Sequence, residues 1–160
     1  TDGPNVMFAA DAANREAELG HKLVIIGGGE IGVEIGIHLA RKGHEVMVVE
    51  MLGILSPESV PVHFRSLFQK TWEEQEGFSY VLNARCTGIY EDHVTYVDKE
   101  GVEHSIEADN VLLAAGLKAN QEIALPFFTG KARTWMIGSC DTPGSIQAVN
   151  RSAYGVVNVI

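Results

Sequence analysis

A glycine-rich turn between an apolar segment and a periodic one constrains this chain more than any other feature of its sequence. Leu23–Ile26 is a run of four aliphatic residues, and positions 27–32 spell Gly-Gly-Gly-Glu-Ile-Gly. Four aliphatic residues bounded by glycine are typical of a strand buried on both faces of a parallel sheet. The turn matches GxGxxG, a pattern that becomes informative only when a strand precedes it and a helix begins inside it.

The residues after the turn supply that context. Residues 30–42 predict a helix, because Ile31, Ile35 and Leu39 recur every four positions. Residues 45–50 (EVMVVE) predict the next strand. Strand, glycine turn, helix and strand within about 30 residues form a βαβ unit. A stripe of small residues lets the helix lie close to a neighbouring backbone: Gly32, Gly36 and Ala40.

The remaining pattern predicts an α/β fold, a Rossmann-type parallel sheet with a small antiparallel β-meander at about residues 86–108. The other expected elements are helices at 9–19, 60–75 and 145–157 and strands at 78–82, 111–116 and 134–138. We expect a single nucleotide-binding domain over residues 1–160. Within it, residues 1–22 are a lead-in, 23–118 the NAD-binding core and 119–160 a tail.

Each glycine of the turn has a physical role in binding a dinucleotide. Gly27 permits the tight turn, Gly29 leaves the backbone open to a pyrophosphate, and Gly32 lets the helix pack on the strand. Unpaired N–H groups and the positive dipole end at the helix start favour the diphosphate. The predicted contacts on this turn are Gly27, Gly28, Gly29, Glu30, Ile31 and Gly32.

Glu50 closes the second predicted strand, where a carboxylate can accept hydrogen bonds from the adenosine ribose. A 2′-phosphate would meet like charge there, and residues 51–59 contain no Lys or Arg, so we expect NADH to be preferred to NADPH. Met51, the next residue, is predicted to lie in the same site. Glu34 on the first helix either approaches the cofactor or serves only as a solvated helix residue.

Composition excludes several other classes of function. Twelve Lys and Arg stand against 21 Asp and Glu, a net charge of −9, which argues against nucleic acid or an anionic membrane surface as a partner. No apolar run approaches the roughly 18–20 residues of a membrane span. Cys86 and Cys140 form no CxxC pair, a usage that suits the cytoplasm, and the six histidines show no metal-ligand spacing. No catalytic residues and no metal site are therefore predicted.

Residues 23–50, 108–120 and 134–160 resemble the C-terminal part of the bacterial NADH:flavin oxidoreductases related to 2,4-dienoyl-CoA reductase, 2-enoate reductase and trimethylamine dehydrogenase. The GxGxxG-x-E form with Glu34, and the strand end that includes Ala115 and Gly116, resemble the pyridine-nucleotide domain of the wider disulfide-reductase-like family. The resemblance adds Ala115 and Gly116 to the expected cofactor contacts.

The resemblance implies that this chain is a fragment of a larger flavoenzyme. In that family the NAD domain is inserted into an FAD-type domain, and both follow a barrel that carries FMN and an iron–sulfur cluster. Residues 134–160 would then be the returning FAD-domain segment, although Gly138-Ser139 stands where the family has Gly-Asp. The missing FAD domain and flavin barrel would be its partners, and the fragment alone would bind NAD(H) but be inactive.

Three functions follow from these patterns. The first is the NAD(H)-binding module of an FAD- or FMN-dependent NADH:acceptor oxidoreductase, which passes hydride from NADH to a flavin. The second is a non-catalytic regulatory module that senses NAD. In the third, the glycines only make a tight turn in a purely structural α/β domain.

Overall fold

The computed structural model describes residues 3–56, 62–130 and 132–159. The chain divides into two compact units, Thr1–Ala115 and Gly116–Ile160. The sequence predicts one domain whose core ends at residue 118, three residues beyond this division.

The first unit contains two sheets. Their strands are β1 (Val6–Phe8), β2 (Lys22–Ile26), β3 (Glu45–Val49), β4 (Phe78–Val81), β5 (Arg85–Ile89), β6 (His93–Val97), β7 (Glu103–Glu107) and β8 (Asn110–Leu113). The larger sheet has the order β1-β8-β2-β3-β4, and every neighbouring pair in it is parallel. The smaller sheet is the antiparallel meander β5-β6-β7, with a bulge between Cys86 and Gly88. The predicted fold class is confirmed.

Five α-helices complete the described chain. They are α1 (Ala9–Ala12), α2 (Glu30–Arg41), α3 (Val62–Glu73), α4 (Gln121–Ala124) and α5 (Ile146–Val157). The predicted third helix begins at residue 60, and its first two residues lie outside the described ranges. The helices predicted at 30–42 and 145–157 are present with nearly the expected bounds.

The core lies on both faces of the parallel sheet, because alternate residues of β2 point to opposite sides. Leu23 and Ile25 join the cluster that contains the buried face of α2. Val24 joins a second cluster together with Val94 of the meander. Burial on both faces explains why the four residues of β2 after Lys22 are all aliphatic.

The face of α2 that packs on the sheet is centred on the small residues Gly32, Gly36 and Ala40, which are all buried. Ile31, which the four-residue periodicity placed on the apolar face, is exposed. The helix axis lies too close to the sheet for larger side chains on this face. A Cβ on Gly36 would lie 2.7 Å from Cε2 of Phe78.

Two predicted elements are wrong. The helix expected at 9–19 is divided into the single turn α1 and a 3-10 turn at Glu16–Glu18. Strand β1, which the sequence did not predict, comes directly before it and pairs with β8 in the sheet. The strand expected at 134–138 is absent from the described chain. All described strands lie between residues 6 and 113.

The second unit consists of α4, a 3-10 turn at Leu125–Thr129, another at Gly138–Cys140, and α5. Ser145 caps α5, because its hydroxyl accepts a hydrogen bond from the amide of Ala148 at 3.3 Å. None of the described residues of this unit is buried. Over both units, the described helices are all too short or too polar to cross a membrane.

Candidate functional site

The glycine turn lies at the carboxyl edge of the parallel sheet, where β2, β3 and β8 end together. The amide of Gly27 donates to the carbonyl of Val49 at 3.0 Å, and the amide of Ala114 donates to the carbonyl of Ile26 at 2.8 Å. The turn is therefore held between the ends of both neighbouring strands. In open α/β sheets, ligands bind in the crevice outside this edge.

Gly27 and Gly32 are glycines because the protein itself leaves no room for a side chain. Gly27 has φ of +108°, and a Cβ there would lie 2.5 Å from the carbonyl oxygen of Ala114. A Cβ on Gly32 would overlap the carbonyl oxygen of Gly27. These two positions allow strand, turn and helix to pack closely, whether or not a ligand binds.

Gly29 differs from both of these residues. Its backbone is extended, with φ of −68° and ψ of −175°, a conformation open to any residue. A Cβ built on Gly29 would find no atom within 4 Å. Gly29 is also the N-cap of α2 and supplies no side-chain cap, so the positive end of that helix faces this open space.

Glu50 follows β3 directly and is one of the few buried charged residues, with 6% of its surface exposed. Its Oε2 accepts from the amide of Gly28 at 2.5 Å, and its Oε1 accepts from the amide of Leu52 at 2.6 Å. The carboxylate thus lies directly against the glycine turn. Both of its oxygens already accept backbone hydrogen bonds before any ribose is considered.

The remaining predicted contacts on α2 and directly after Glu50 are all exposed. Glu30 and Ile31 begin α2 and are exposed, and Glu34 lies one turn further along the same helix, also exposed. Partial burial of its carboxyl group nevertheless raises the pKa of Glu30 from its ordinary value, and the charge of Glu34 raises it further. Met51 is exposed beside Glu50.

Ala115 follows β8, and its amide nitrogen lies 3.1 Å from where a Cβ on Gly27 would be. Gly116 opens the second unit with φ of +96°. The structure therefore brings the glycine turn, Glu50 and Ala115 together at one edge of the sheet. Glu34 lies outside this cluster, one helical turn away.

Sequence reasoning missed the contribution of residues 52–56. Leu55 is buried, with 3% exposed, and a Cβ on Gly28 would overlap its Cδ2. The amide of Ser56 donates to the carbonyl of Gly28 at 2.7 Å. The apolar run Leu-Gly-Ile-Leu at 52–55 is the only signal of this fold-back, and its pattern matches neither helix nor strand.

No set of three or more His, Cys, Asp or Glu side chains within the described ranges is arranged to hold a metal ion. Cys86 lies in the meander, and burial raises the pKa of its thiol. That environment favours the protonated, unreactive form.

A family model described as pyridine nucleotide-disulphide oxidoreductase matches residues 5–138. A nitric oxide reductase FlRd-NAD(+) reductase of Vibrio vulnificus (strain CMCP6) is 35% identical over 126 residues, which are 75% of this chain and 31% of that protein. Dihydrolipoyl dehydrogenase 1, mitochondrial, of Arabidopsis thaliana is 37% identical over 105 residues, 62% of this chain and 20% of that protein. The chain spans less than a third of these curated relatives.

Solved structures give a consistent result for the fold. A 2-naphthoyl-CoA reductase in complex with 2-naphthoyl-CoA superimposes with a TM-score of 0.85 at 26% identity, over 96% of this chain and 23% of that chain. Histamine dehydrogenase from Rhizobium sp. 4-9 superimposes with a TM-score of 0.82 over 99% of this chain and 26% of that chain. Its identity of 17% supports likeness of fold alone.

Proposed function

This chain belongs to the pyridine nucleotide-disulphide oxidoreductase family, and from that premise we propose that its first unit binds NAD(H) at the glycine turn. The observation that carries the proposal is the open space at Gly29. The fold explains the glycines at 27 and 32, whereas nothing in the described protein requires one at 29. A diphosphate that approaches the backbone at an uncapped helix start supplies the missing reason.

In the proposed complex, the chain's own residues bind and orient the dinucleotide. Gly29 and the first residues of α2 receive the diphosphate, and Glu50 lies on the adenosine side. NADH, when bound, supplies a hydride to an acceptor. We predict no acid, base or nucleophile in this chain for that step, so binding and orientation are its whole contribution.

We propose that the parent protein is an oxidoreductase in which this unit delivers hydride from NADH to a flavin. The curated relatives are named as reductases and dehydrogenases, which supports an oxidoreductase and gives no support to an NAD-sensing module. The narrower group suggested by the sequence remains part of the proposal, together with FAD, FMN and an iron–sulfur cluster elsewhere in the parent. A cytoplasmic location likewise stays a prediction.

We further propose that the second unit packs against parts of the parent outside this chain. Nine of its large apolar side chains are exposed: Leu117, Ile123, Leu125, Phe127, Phe128, Ile146, Tyr154, Val157 and Val159. This many exposed apolar side chains in so short a segment favour an interaction surface. The missing FAD domain is the expected partner.

The proposal is tested by titrating the chain with NADH before and after Gly29→Val. Because the backbone at Gly29 is extended and unobstructed, the variant should fold normally but hinder the approach of the diphosphate. We expect affinity to fall by about tenfold or more, equivalent to the loss of roughly 1.4 kcal/mol or more of binding free energy. Gly155→Val, at another unobstructed glycine, is the matched control. Wild-type affinity in a folded Gly29→Val variant would contradict the proposed site.

Cofactor preference gives a second test. The Glu50 carboxylate is fixed by two amides and buried, so a 2′-phosphate beside it would meet a negative charge that cannot move away. We expect NADH to bind more tightly than NADPH. Equal affinities would show that Glu50 does not face the adenosine ribose.

A further inference from the structure

Gly28, the second glycine of the turn, is held from three directions by residues that follow β3. Its amide donates to Oε2 of Glu50 at 2.5 Å, and its carbonyl accepts from the amide of Ser56 at 2.7 Å. The side chain of Leu55 covers its Cα, since a Cβ there would overlap Cδ2 of Leu55. The peptide groups on both sides of Gly28 are therefore fixed.

The segment that holds Gly28 is itself anchored. The second oxygen of Glu50 accepts from the amide of Leu52 at 2.6 Å. The amide of Asn83 donates to the carbonyl of Leu52 at 3.0 Å, and the amide of Ala84 donates to the carbonyl of Glu50 at 2.9 Å. The chain after β4 thus supports the segment from its other side.

The segments that follow β3 and β4 each contain one strained backbone conformation. Among the described residues, the only non-glycine residues with positive φ are Ser56, at 44°, and Asn83, at 53°. Asn tolerates this region and Ser adopts it less readily. Such strain persists only where surrounding contacts determine the conformation, and it is concentrated at ligand sites.

We propose that Glu50, Leu55 and Ser56 are positioning residues for dinucleotide binding, because they hold the Gly28 peptide from which Gly29 and α2 continue. This inference rests on the proposed NAD(H) site. It assigns Glu50 a contribution made through Gly28, in addition to any hydrogen bond with the ribose. A ligand without the adenosine 2′-hydroxyl should therefore still depend on Glu50.

The test uses Glu50→Gln and two ligands, NAD⁺ and NAD⁺ that lacks the 2′-hydroxyl of the adenosine ribose. Gln offers one acceptor oxygen where Glu50 offers two, and its NH₂ group would face one of the two amides. Gly28 then loses one of its three supports, since the contacts with Leu55 and Ser56 remain, and the ligand must restore the lost order when it binds. Ordering one residue completely corresponds to about five- to thirtyfold in affinity, which is the upper limit for this loss. We expect both ligands to lose affinity, and NAD⁺ by the larger factor if Glu50 also binds the ribose.

Glu45→Gln is the matched control, since it makes the same change of charge on the exposed side chain at the other end of β3. It should leave both affinities unchanged. Circular dichroism identifies the temperature range in which each variant is folded, and the titrations are made within that range. A purely stabilising role for Glu50 would lower the melting temperature and leave both affinities unchanged.

Leu55→Val is the second variant, because it shortens the side chain over Gly28 and leaves every polar group in place. It should weaken both ligands by the same, smaller factor, and it decides the question if Glu50→Gln does not fold. Loss confined to the ligand with the 2′-hydroxyl, or unchanged affinities in folded variants, would overturn the inference. Failure of the wild type to bind either ligand would instead contradict the proposed function.

Discussion

The two units of this chain use apolar residues in opposite ways. In the first unit the parallel sheet is covered on one face by α2 and on the other by the meander, and its largest aliphatic side chains are fully buried. In the second unit, Leu, Ile and Phe side chains are as common, but none of the described residues is buried. Apolar content alone therefore did not determine which segment has its own core.

This contrast in burial indicates where the stability of each unit originates. The first unit encloses enough apolar surface to contribute most of its own folding free energy. The second is shorter than the roughly 70–80 residues below which one core rarely suffices. Its helix α5 is held by local hydrogen bonds and by the Ser145 cap, and we propose that a partner covers its exposed apolar side chains.

The N-termini of α2 in the first unit and α5 in the second unit also differ. In α5 the hydroxyl of Ser145 satisfies an amide of the first turn. In α2 the N-cap is Gly29, and no side chain caps the helix. The second unit completes its own helix start, whereas the first unit leaves one open where we propose that the diphosphate binds.

The largest effect is expected from Gly32→Ala, at the tightest contact of the first unit. The added Cβ would overlap the carbonyl oxygen of Gly27, which belongs to backbone and cannot rotate away. We expect a loss of about 4 kcal/mol or more in the free energy of unfolding, measured by urea denaturation. Gly29→Ala is the control and should change the free energy of unfolding by about 0.5 kcal/mol or less. Similar stabilities of the two variants would contradict the conclusion that packing requires a glycine at position 32 and does not require one at position 29.

Leu112→Ala and Leu125→Ala compare the two units directly. Leu112 is fully buried in β8, so truncation should lower the free energy of unfolding by about 2–5 kcal/mol. Leu125 is 57% exposed, and its truncation should cost about 0.5 kcal/mol or less. Thermal denaturation followed by circular dichroism measures both effects. A large cost for Leu125→Ala would show that the second unit has a core of its own.

Gly36→Ala and Gly155→Ala make the same substitution inside one helix of each unit. Alanine favours a helix by about 1 kcal/mol relative to glycine. At Gly36 the Cβ would meet Phe78 at 2.7 Å and Ile25 at 3.2 Å, and overpacking of about 1–3 kcal/mol should exceed that gain. At Gly155 the space is open, so we expect a gain in helix stability. Amide exchange in α2 and α5 distinguishes the two outcomes, and equal signs would contradict the comparison.

The smallest effect concerns the two helix starts. The first turn of α2 contains Glu30, whose pKa is raised by burial and by Glu34, whereas the first turn of α5 has no acidic residue. A bound diphosphate would raise the pKa of Glu30 further, since it adds negative charge nearby. Affinity for NAD⁺ should therefore increase as the pH falls from 7 toward the upper end of the glutamate range.

Glu30→Gln should remove this pH dependence and tighten binding at pH 7 by about two- to fivefold. Glu45→Gln provides a control for the loss of one negative charge elsewhere in the first unit. Isothermal titration at several pH values measures the effect. Unchanged pH dependence in Glu30→Gln would place the diphosphate away from this helix start.

The βαβ unit, the glycine turn and the class of fold could be predicted from the amino-acid pattern alone. These features depend on local chemistry: an aliphatic run between glycines predicts a buried strand, and helical periodicity after the turn predicts α2. The meander was also readable, because Val102 and Ile106 alternate with polar residues along the segment that contains its last strand, β7.

The remaining features depend on partners distant in the sequence and are visible only in the folded chain. Val6–Phe8 is a strand because β8 lies beside it, and residues 134–138 form no strand in the described chain. Glu50 was predicted at the carboxyl edge of the sheet, where it lies. Its hydrogen bonds with the amides of Gly28 and Leu52 depend on a fold-back of the chain that no local sequence pattern predicts. Positions 27, 29 and 32 are all glycine, so the sequence does not distinguish them. The surrounding atoms show that Gly27 and Gly32 are required for packing and that the space at Gly29 is open.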